Sequence, residues 1–403
     1  MSDAGNKTLT GGWVLFALAL GAFAIGTTEF ATMSLLPMFA RDLGIDAPTA
    51  GHVISAYALG VVVGAPVVAV VAARVARRTL LTILMGMFAL ANGMSGLAPT
   101  YHWMLVFRFL SGLPHGAYFG AAALMATSVV PENRRTAAVG RVFLGLTCAT
   151  ILGVPVADWL GQAVGWRWSF GLVALFGVLT MAIVRLLAPA QPAHAKSSPL
   201  REIGALGRAQ VWLTLGIGAV GFGGMFAVYT YLANVFGAVT GVSAQSAPVV
   251  LSVLGLGFTI GNIVVPMLAD RALMRTTGAV LVWSAASLAL FPLMAAHVWT
   301  ITLDVFLIGI GGSLGALLQT RLMDVAGDAQ GLAAALNHSA FNTANALGPF
   351  LGGLAIAAGY GWTAPGWVGS LLAIGGLVLW LVSAALERSR NREVVAIREN
   401  IPG

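Results

Sequence analysis

Twelve runs of apolar residues, most of them about 20 residues or longer, follow one another along the chain with gaps too short to hold a soluble domain. Their approximate limits are 12–39, 49–73, 79–99, 101–129, 137–162 and 165–188 in the first half. In the second half they are 208–236, 246–269, 276–296, 298–322, 330–358 and 364–386. Lipid offers no hydrogen bonds, so such segments have to satisfy their backbone internally, as helix. Strands of alternating polarity are not seen in the sequence, which argues against a β-barrel. Composition agrees: 58% of the 403 residues are hydrophobic and 9% are charged, against roughly 25% charged in soluble domains. The sequence therefore predicts an all-α integral membrane protein with about twelve transmembrane helices.

The net charge of +7 is not gathered in one patch, so no nucleic-acid partner is implied. Arg74, Arg77 and Arg78 follow the second run, Arg134 and Arg135 the fourth, and Arg271 and Arg275 the eighth. Arg185, Lys196, Arg201 and Arg208 surround the link between halves, and Arg388, Arg390, Arg392 and Arg398 lie in the tail. Opposite connections carry little beyond Arg41 and Arg167, so the positive-inside rule places both termini in the cytoplasm. Residues 1–10 are polar and the first run is too long for a signal peptide, so no cleavable leader is expected. The single cysteine, Cys148, excludes an internal disulfide.

The two halves repeat. Gly60, Gly64 and Arg74 recur 197 residues later as Gly257, Gly261 and Arg271. Residues 1–188 and 208–403 are expected to form two six-helix bundles, the second with a basic cytoplasmic tail. Residues 189–207, with Pro189, Pro192, Ser197, Ser198 and Pro199, read as a cytoplasmic linker. Parallel repeats of this kind place a substrate site between the bundles.

Two features within the runs stand out. Glu29 puts a carboxylate inside the first run, where a charge costs several kcal/mol unless it is protonated, paired or facing water. The fifth run carries a small residue at every fourth position, Gly145, Ala149, Gly153, Ala157 and Gly161, beside Pro155. The eleventh repeats the device with Ala340, Ala344, Gly348 and Gly352 beside Pro349. Flat faces like these serve either ordinary helix packing or a seam at which a helix bends between two conformations.

The segment from Gly145 to Gly161 resembles the glycine-proline motif of drug:proton antiporters of the major facilitator superfamily. Arg108 to Gly120 resembles the fourth-helix motif of that family, and Gly26 to Pro37 its first helix. The likeness covers nearly the whole chain and is nearest to the bacterial branch of sugar-efflux, arabinose-polymer-associated and chloramphenicol exporters. It implies the major facilitator fold, alternating access and proton-driven export from a bacterial inner membrane, with Arg108 tuning the proton affinity of a nearby carboxylate. The chain departs from the family in the loop after the second run, where Ala69, Ala73 and Ala76 replace two glycines and an aspartate while Arg74, Arg77 and Arg78 remain. Asp270 and Arg271 keep the acid-base pair in the second half, so an asymmetric cytoplasmic gate is expected.

At about 1.5 Å per residue, Glu29 and Arg108 fall roughly 15 and 10 Å from the outer surface and can share a level. Either a permanent ion pair or a contact that depends on protonation or substrate fits that placement. Asp304 stands at the repeat position of Arg108 and is a second proton site, a substrate contact, a partner of Arg108, or a tolerated neutral acid. Asp158, nearer the outer surface, is expected to meet water or Arg167. Candidate cavity residues are Met33, His115, Phe222, Phe226, Tyr229, Asn234, His338, Asn342 and Asn345. His338, Asn342 and Asn345 follow helical i, i+4, i+7 spacing on one face. No clustered metal-ligand spacing, phosphate loop or nucleotide-binding domain is seen, so the expected protein is not an enzyme and has no cofactor or bound metal. Its energy source is the proton gradient, and its partners are protons, a small-molecule substrate and the lipid bilayer around a monomer. The rivals are an uptake symporter or facilitator on the same fold and, more remotely, a receptor or scaffold.

Overall fold

The computed structural model describes residues 2–45, 47–190, 199–241, 247–327 and 329–399, among which every regular element is a helix. Pro192, Lys196, Ser197 and Ser198 of the link lie outside the described residues. The first half forms α1 (Ser2–Asp42), α2 (Ala47–Val71), α3 (Arg77–Gly96) and α4 (Tyr101–Ser128). Next, α5 runs from Arg135–Cys148 through a π-helical turn at Ala149–Gly153 into Val154–Ala163, and α6 is Trp166–Leu187. A short linker helix, Pro199–Gly204, leads into α7, which runs from Ala209–Gly216 through a π-helical turn at Ile217–Gly221 into Gly223–Val235. The helix Ala247–Met294 breaks at Ala272, whose φ of −157° and ψ of 70° are not helical, into α8 before it and α9 after it. The chain ends with α10 (Val298–Gly311, then Leu314–Val325 after two turn residues), α11 (Gln330–Ala355) and α12 (Ala364–Glu399). Among the described residues these make twelve long helices, α1 to α12. The π-helical turn of α5 sits where Pro155 demands it, because the proline ring has no N–H and collides with the carbonyl of residue 151 in a regular helix.

Nine helical stretches of the described residues are long and apolar enough to cross a membrane, and one of these, Ser252–Met294, is double-length and contains the break. The α4 and α11 helices are long enough but are not among the nine. Both carry polar residues that face protein rather than lipid: Arg108, Ser111 and His115 in α4 and Asn337 and His338 in α11 are all buried. Trp103, Trp168, Trp212, Trp299 and Trp367 are exposed close to helix ends, where indole rings anchor a protein at the two membrane surfaces.

The repeat seen in the sequence is a repeat of packing. A side chain at Gly60 or Gly64 would collide with the backbone of Phe109 and Leu113 in α4, and one at Gly257 or Gly261 with Phe306 and Ile310 in α10. The partners are related by the same offset of 197 residues as the glycines. The small faces behave alike. Gly145 and Gly153 of α5 press on Ala19, Phe23 and Thr27 of α1, while Gly348 of α11 presses on Gly223 and Ala227 of α7. Gly161 continues the first seam onto Leu35, and Gly352 the second onto Tyr231 and Pro365. Pro349 takes part too, its carbonyl accepting a 2.9 Å bond from the Tyr231 hydroxyl. Both faces thus pack within a bundle rather than between bundles.

The halves meet along α2 and α4 against α11, and along α5 against α8. Gly116 and Gly120 of α4 rest on Ala334 and Ala335, and Ala65 and Ala69 of α2 cluster with Leu332 and Ala335. On the other side Gly140 of α5 rests on Asn262 and Pro266 of α8. These contacts run from mid-depth to the end where the linker emerges, which is closed.

Candidate functional site

Arg108 is buried to 1% exposure in the middle of the first bundle. An arginine there stands only if its donors are used, because an unpaired buried charge is costly. One terminal nitrogen, Nη1, donates to Thr28 Oγ1 at 2.9 Å and, at 3.4 Å, to Asn92 Oδ1 and Ser111 Oγ. Nη2 donates to the Thr28 carbonyl at 3.5 Å, and the Tyr57 ring lies 4.4 Å from the guanidinium carbon. Thr28 closes the cluster by donating to Asn92 Oδ1 at 2.6 Å. Glu29, next to Thr28, is partly exposed and within electrostatic reach of Arg108, yet it makes no ion pair or hydrogen bond among the described residues. The permanent Glu29–Arg108 pair that depth alone allows is not formed. Arg108 is instead anchored by neutral groups, and the carboxylate beside it is left uncommitted.

Below this cluster a hydrogen-bonded chain crosses from one bundle to the other. The Tyr57 hydroxyl lies 2.9 Å from His115 Nδ1, and His115 Nε2 lies 3.2 Å from His338 Nδ1 of α11. In the neutral pair, only one of the two facing nitrogens carries a hydrogen. Phe119 stacks on His338 with ring centroids 4.0 Å apart. The aromatic run continues through Phe341 to Phe222, centroids 4.8 Å apart, and on to Phe226. Tyr229 does not join this wall: it is exposed, as are Asn234 and Met33 toward the opposite end. Asn342 turns its amide back onto the His338 carbonyl at 2.9 Å, and Asn345 is partly buried one turn beyond.

Asp304 is fully buried, and neither carboxylate oxygen has a partner among the described residues. It does not reach across to Arg108, whose hydrogen bonds all stay within its own bundle, so that possibility is removed. Asp158 accepts from Gln162 at 2.7 Å; Arg167 pairs instead with Asp42. Several residues at the centre were missed from sequence: Tyr57, Asn92, Thr28 and Ser111 around Arg108, and Phe119 and Phe143 around His338. Asn92 had a legible signal, an amide within an apolar run, and the others had none.

At the closed end, Asp270 of α8 accepts the amides of Thr136 and Ala137, the second and third residues of α5, at 2.7 and 3.1 Å. A carboxylate there satisfies amides that have no partner within the helix and meets the positive end of its dipole. Arg135 and Asp324 add an exposed ion pair between bundles at 3.1 Å. Of the basic residues expected here, Arg78 donates to the Ala188 carbonyl, while Arg74 and Arg271 are exposed. A residue with no signal in the sequence completes this end. Glu202 of the linker helix, 5% exposed, accepts the Leu332 amide of α11 at 2.8 Å and the Gly331 amide, within electrostatic reach of Arg77. Burial pushes its carboxyl up from the ordinary range, against the opposite pull of the two amides and Arg77. The docked linker therefore holds that proton more tightly than a solvated one, so docking strengthens as pH falls into the raised range and weakens as pH rises through it. A spin-label distance between Gly204 and Thr79 is expected to lengthen with rising pH in the native chain and to stay flat in Glu202→Gln.

The sequence profile of the Major Facilitator Superfamily matches residues 18–292. The chain belongs to this superfamily. Its relatives include the inner membrane transport protein YdhP of Escherichia coli (strain K12), 39% identical over 95% of this chain and 98% of that protein. A chloramphenicol resistance protein of Streptomyces lividans is 31% identical over 89% of this chain and 93% of its own length. Among solved structures the superfamily's proton:xylose symporter XylE superposes with a TM-score of 0.73 at 14% identity, covering 93% of this chain and 96% of that one, a likeness of fold. The protein is accordingly a multi-pass membrane transporter of the major facilitator fold, with a small-molecule substrate.

Proposed function

We propose that the protein is a proton-coupled exporter of small organic molecules in a bacterial inner membrane, with both termini cytoplasmic. Residues 1–188 and 208–403 act as two bodies that rock about the central site. The observation that carries this is the partly exposed Glu29, unpaired beside an Arg108 already held by Thr28, Asn92 and Ser111. A carboxylate so placed exchanges a proton without breaking the bundle, while the fixed positive charge sets how readily it does so. Protonation and substrate then act on one two-state equilibrium. A closed linker end supports assigning this conformation to the outward-facing side of that cycle. Export as the direction is supported by the resistance role in the name of the Streptomyces lividans relative and by the glycine-proline seam of α5.

In proteoliposomes with an imposed pH gradient, labelled chloramphenicol and a panel of pentoses are the first probes. Flux against the substrate gradient, driven by protons, is expected, and Glu29→Gln is expected to lower it at least tenfold and to flatten its pH dependence. Transport that ignores the pH gradient would overturn proton coupling, and an unchanged pH profile in Glu29→Gln would remove Glu29 from it. Accumulation in the opposite direction in inverted vesicles would identify an importer.

A further inference from the structure

The two bundles are locked by the same device built from different parts of the chain. In α5 the helix-starting residue Arg134 provides no side-chain cap, and Asp270 of the opposite bundle accepts the amides of the second and third helical residues. In α11 the starting residue Ala329 likewise provides no cap, and again the second and third residues, Gly331 and Leu332, give their amides to a carboxylate. Thr136 and Ala137 correspond to Gly331 and Leu332 at a constant offset of 195 residues. The position corresponding to Asp270, 197 residues earlier, is Ala73, whose methyl group accepts nothing. The carboxylate on α11 comes from Glu202 in the linker helix.

We infer that Glu202 is the gate residue of the first half: it takes over on α11 the task that Asp270 performs on α5, and so makes the linker a working part of the transport cycle. Opening the linker end separates α11 from α2 and α4, and with Glu202 in place it also requires the linker helix to leave α11 or to travel with it. Arg77 at the start of α3 lies within electrostatic reach of the same carboxylate, so the first bundle also favours the docked linker. Deleting the carboxylate leaves two helix-end amides without an acceptor, that of Leu332 at a buried position. This inference rests on the alternating-access reading, but not on proton coupling or on the identity of the substrate.

The test is a distance measurement in the full-length protein in nanodiscs, with Cys148 replaced by alanine and spin labels on Asn133 and Arg275, both exposed at the linker end. Glu202→Ala is expected to raise the population with that end open at least fivefold. Glu202→Gln, which keeps a neutral acceptor oxygen as the protonated carboxyl does, is expected to stay close to the native chain. Ala73→Asp added to Glu202→Ala is expected to restore the closed population by returning an acid to the repeat position. Asp270→Ala serves as the reference. If it opens the end and Glu202→Ala leaves the distances of the native chain, the role of Glu202 is overturned. Opening that Ala73→Asp fails to reverse assigns Glu202 to linker docking and overturns its equivalence to Asp270. If no variant, Asp270→Ala included, changes the distances, the alternating-access reading itself fails. A thermal melt of each variant separates these outcomes from misfolding.

Discussion

Arg108→Met is expected to reduce transport below about one hundredth of the native rate and to lower stability by roughly 1–3 kcal/mol, the cost of leaving buried polar groups without the charged donor they share. Both effects follow from the cluster. Methionine fills much of the same volume but donates nothing, so Thr28 Oγ1, Asn92 Oδ1 and Ser111 Oγ lose a shared donor at once. Tyr57 loses the cation over its ring, and Glu29 loses the positive charge beside it. Arg108→Lys keeps the charge but presents a compact ammonium in place of a fork that reaches acceptors on α1, α3 and α4. It is expected to retain stability better than transport. Thermal melting in detergent and flux in proteoliposomes check the two separately; equal losses in Arg108→Lys and Arg108→Met would show that charge alone is not what the site uses.

Asp270→Ala carries the second large effect. Two hydrogen bonds to a carboxylate disappear, each contributing on the order of 1.5–3 kcal/mol. On the alternating-access reading all of that loss falls on the state with the linker end closed, in which α8 and α5 share the contact. Even about 3 kcal/mol corresponds to a shift of roughly a hundredfold in the ratio of the two states. The Arg135–Asp324 pair does not compensate, since its side chains are 28% and 36% exposed and pairs of that kind contribute little. The spin-label distances across the linker end are expected to move to the open population, and transport is expected to fall because the closed state is no longer held. Distances that stay at the native values would remove Asp270 from the gate.

The twelve helices and their repeat were legible because the constraint that produces them is local: each run has to satisfy its own backbone in lipid, and each close crossing needs a glycine that the sequence displays. Gly60 and Gly257, or Gly153 and Gly348, are visible without any knowledge of what they touch. The site was legible only in part. Arg108 and His115 announced themselves as polar residues in apolar runs, and their pairing with distant residues did not. Nothing local makes Asn92 rather than Glu29 the acceptor for Arg108, since that depends on how α1, α3 and α4 are rotated about their axes. The small residues of α5 were readable as a flat face, but the choice of α1 as the surface it covers is a tertiary fact. Glu202 was the least legible of all, an acid in a link whose composition suggests a tether.

The polar character of α4 and α11 has a consequence for how the chain reaches its place. An insertion machinery that releases helices singly into lipid accepts those that prefer lipid to water, and these two lack the uniform apolar surface that secures such a preference. Their buried arginine, histidines and asparagine are at ease only against neighbours, Arg108 against α1 and α3, and Asn337 against Gln319 of α10. Each is thus suited to enter the bilayer as a passenger of the helices synthesised just before it. If so, α4 and α11 expressed alone are expected to insert poorly, and each together with the helices before it to insert well, as a glycosylation-mapping assay would show.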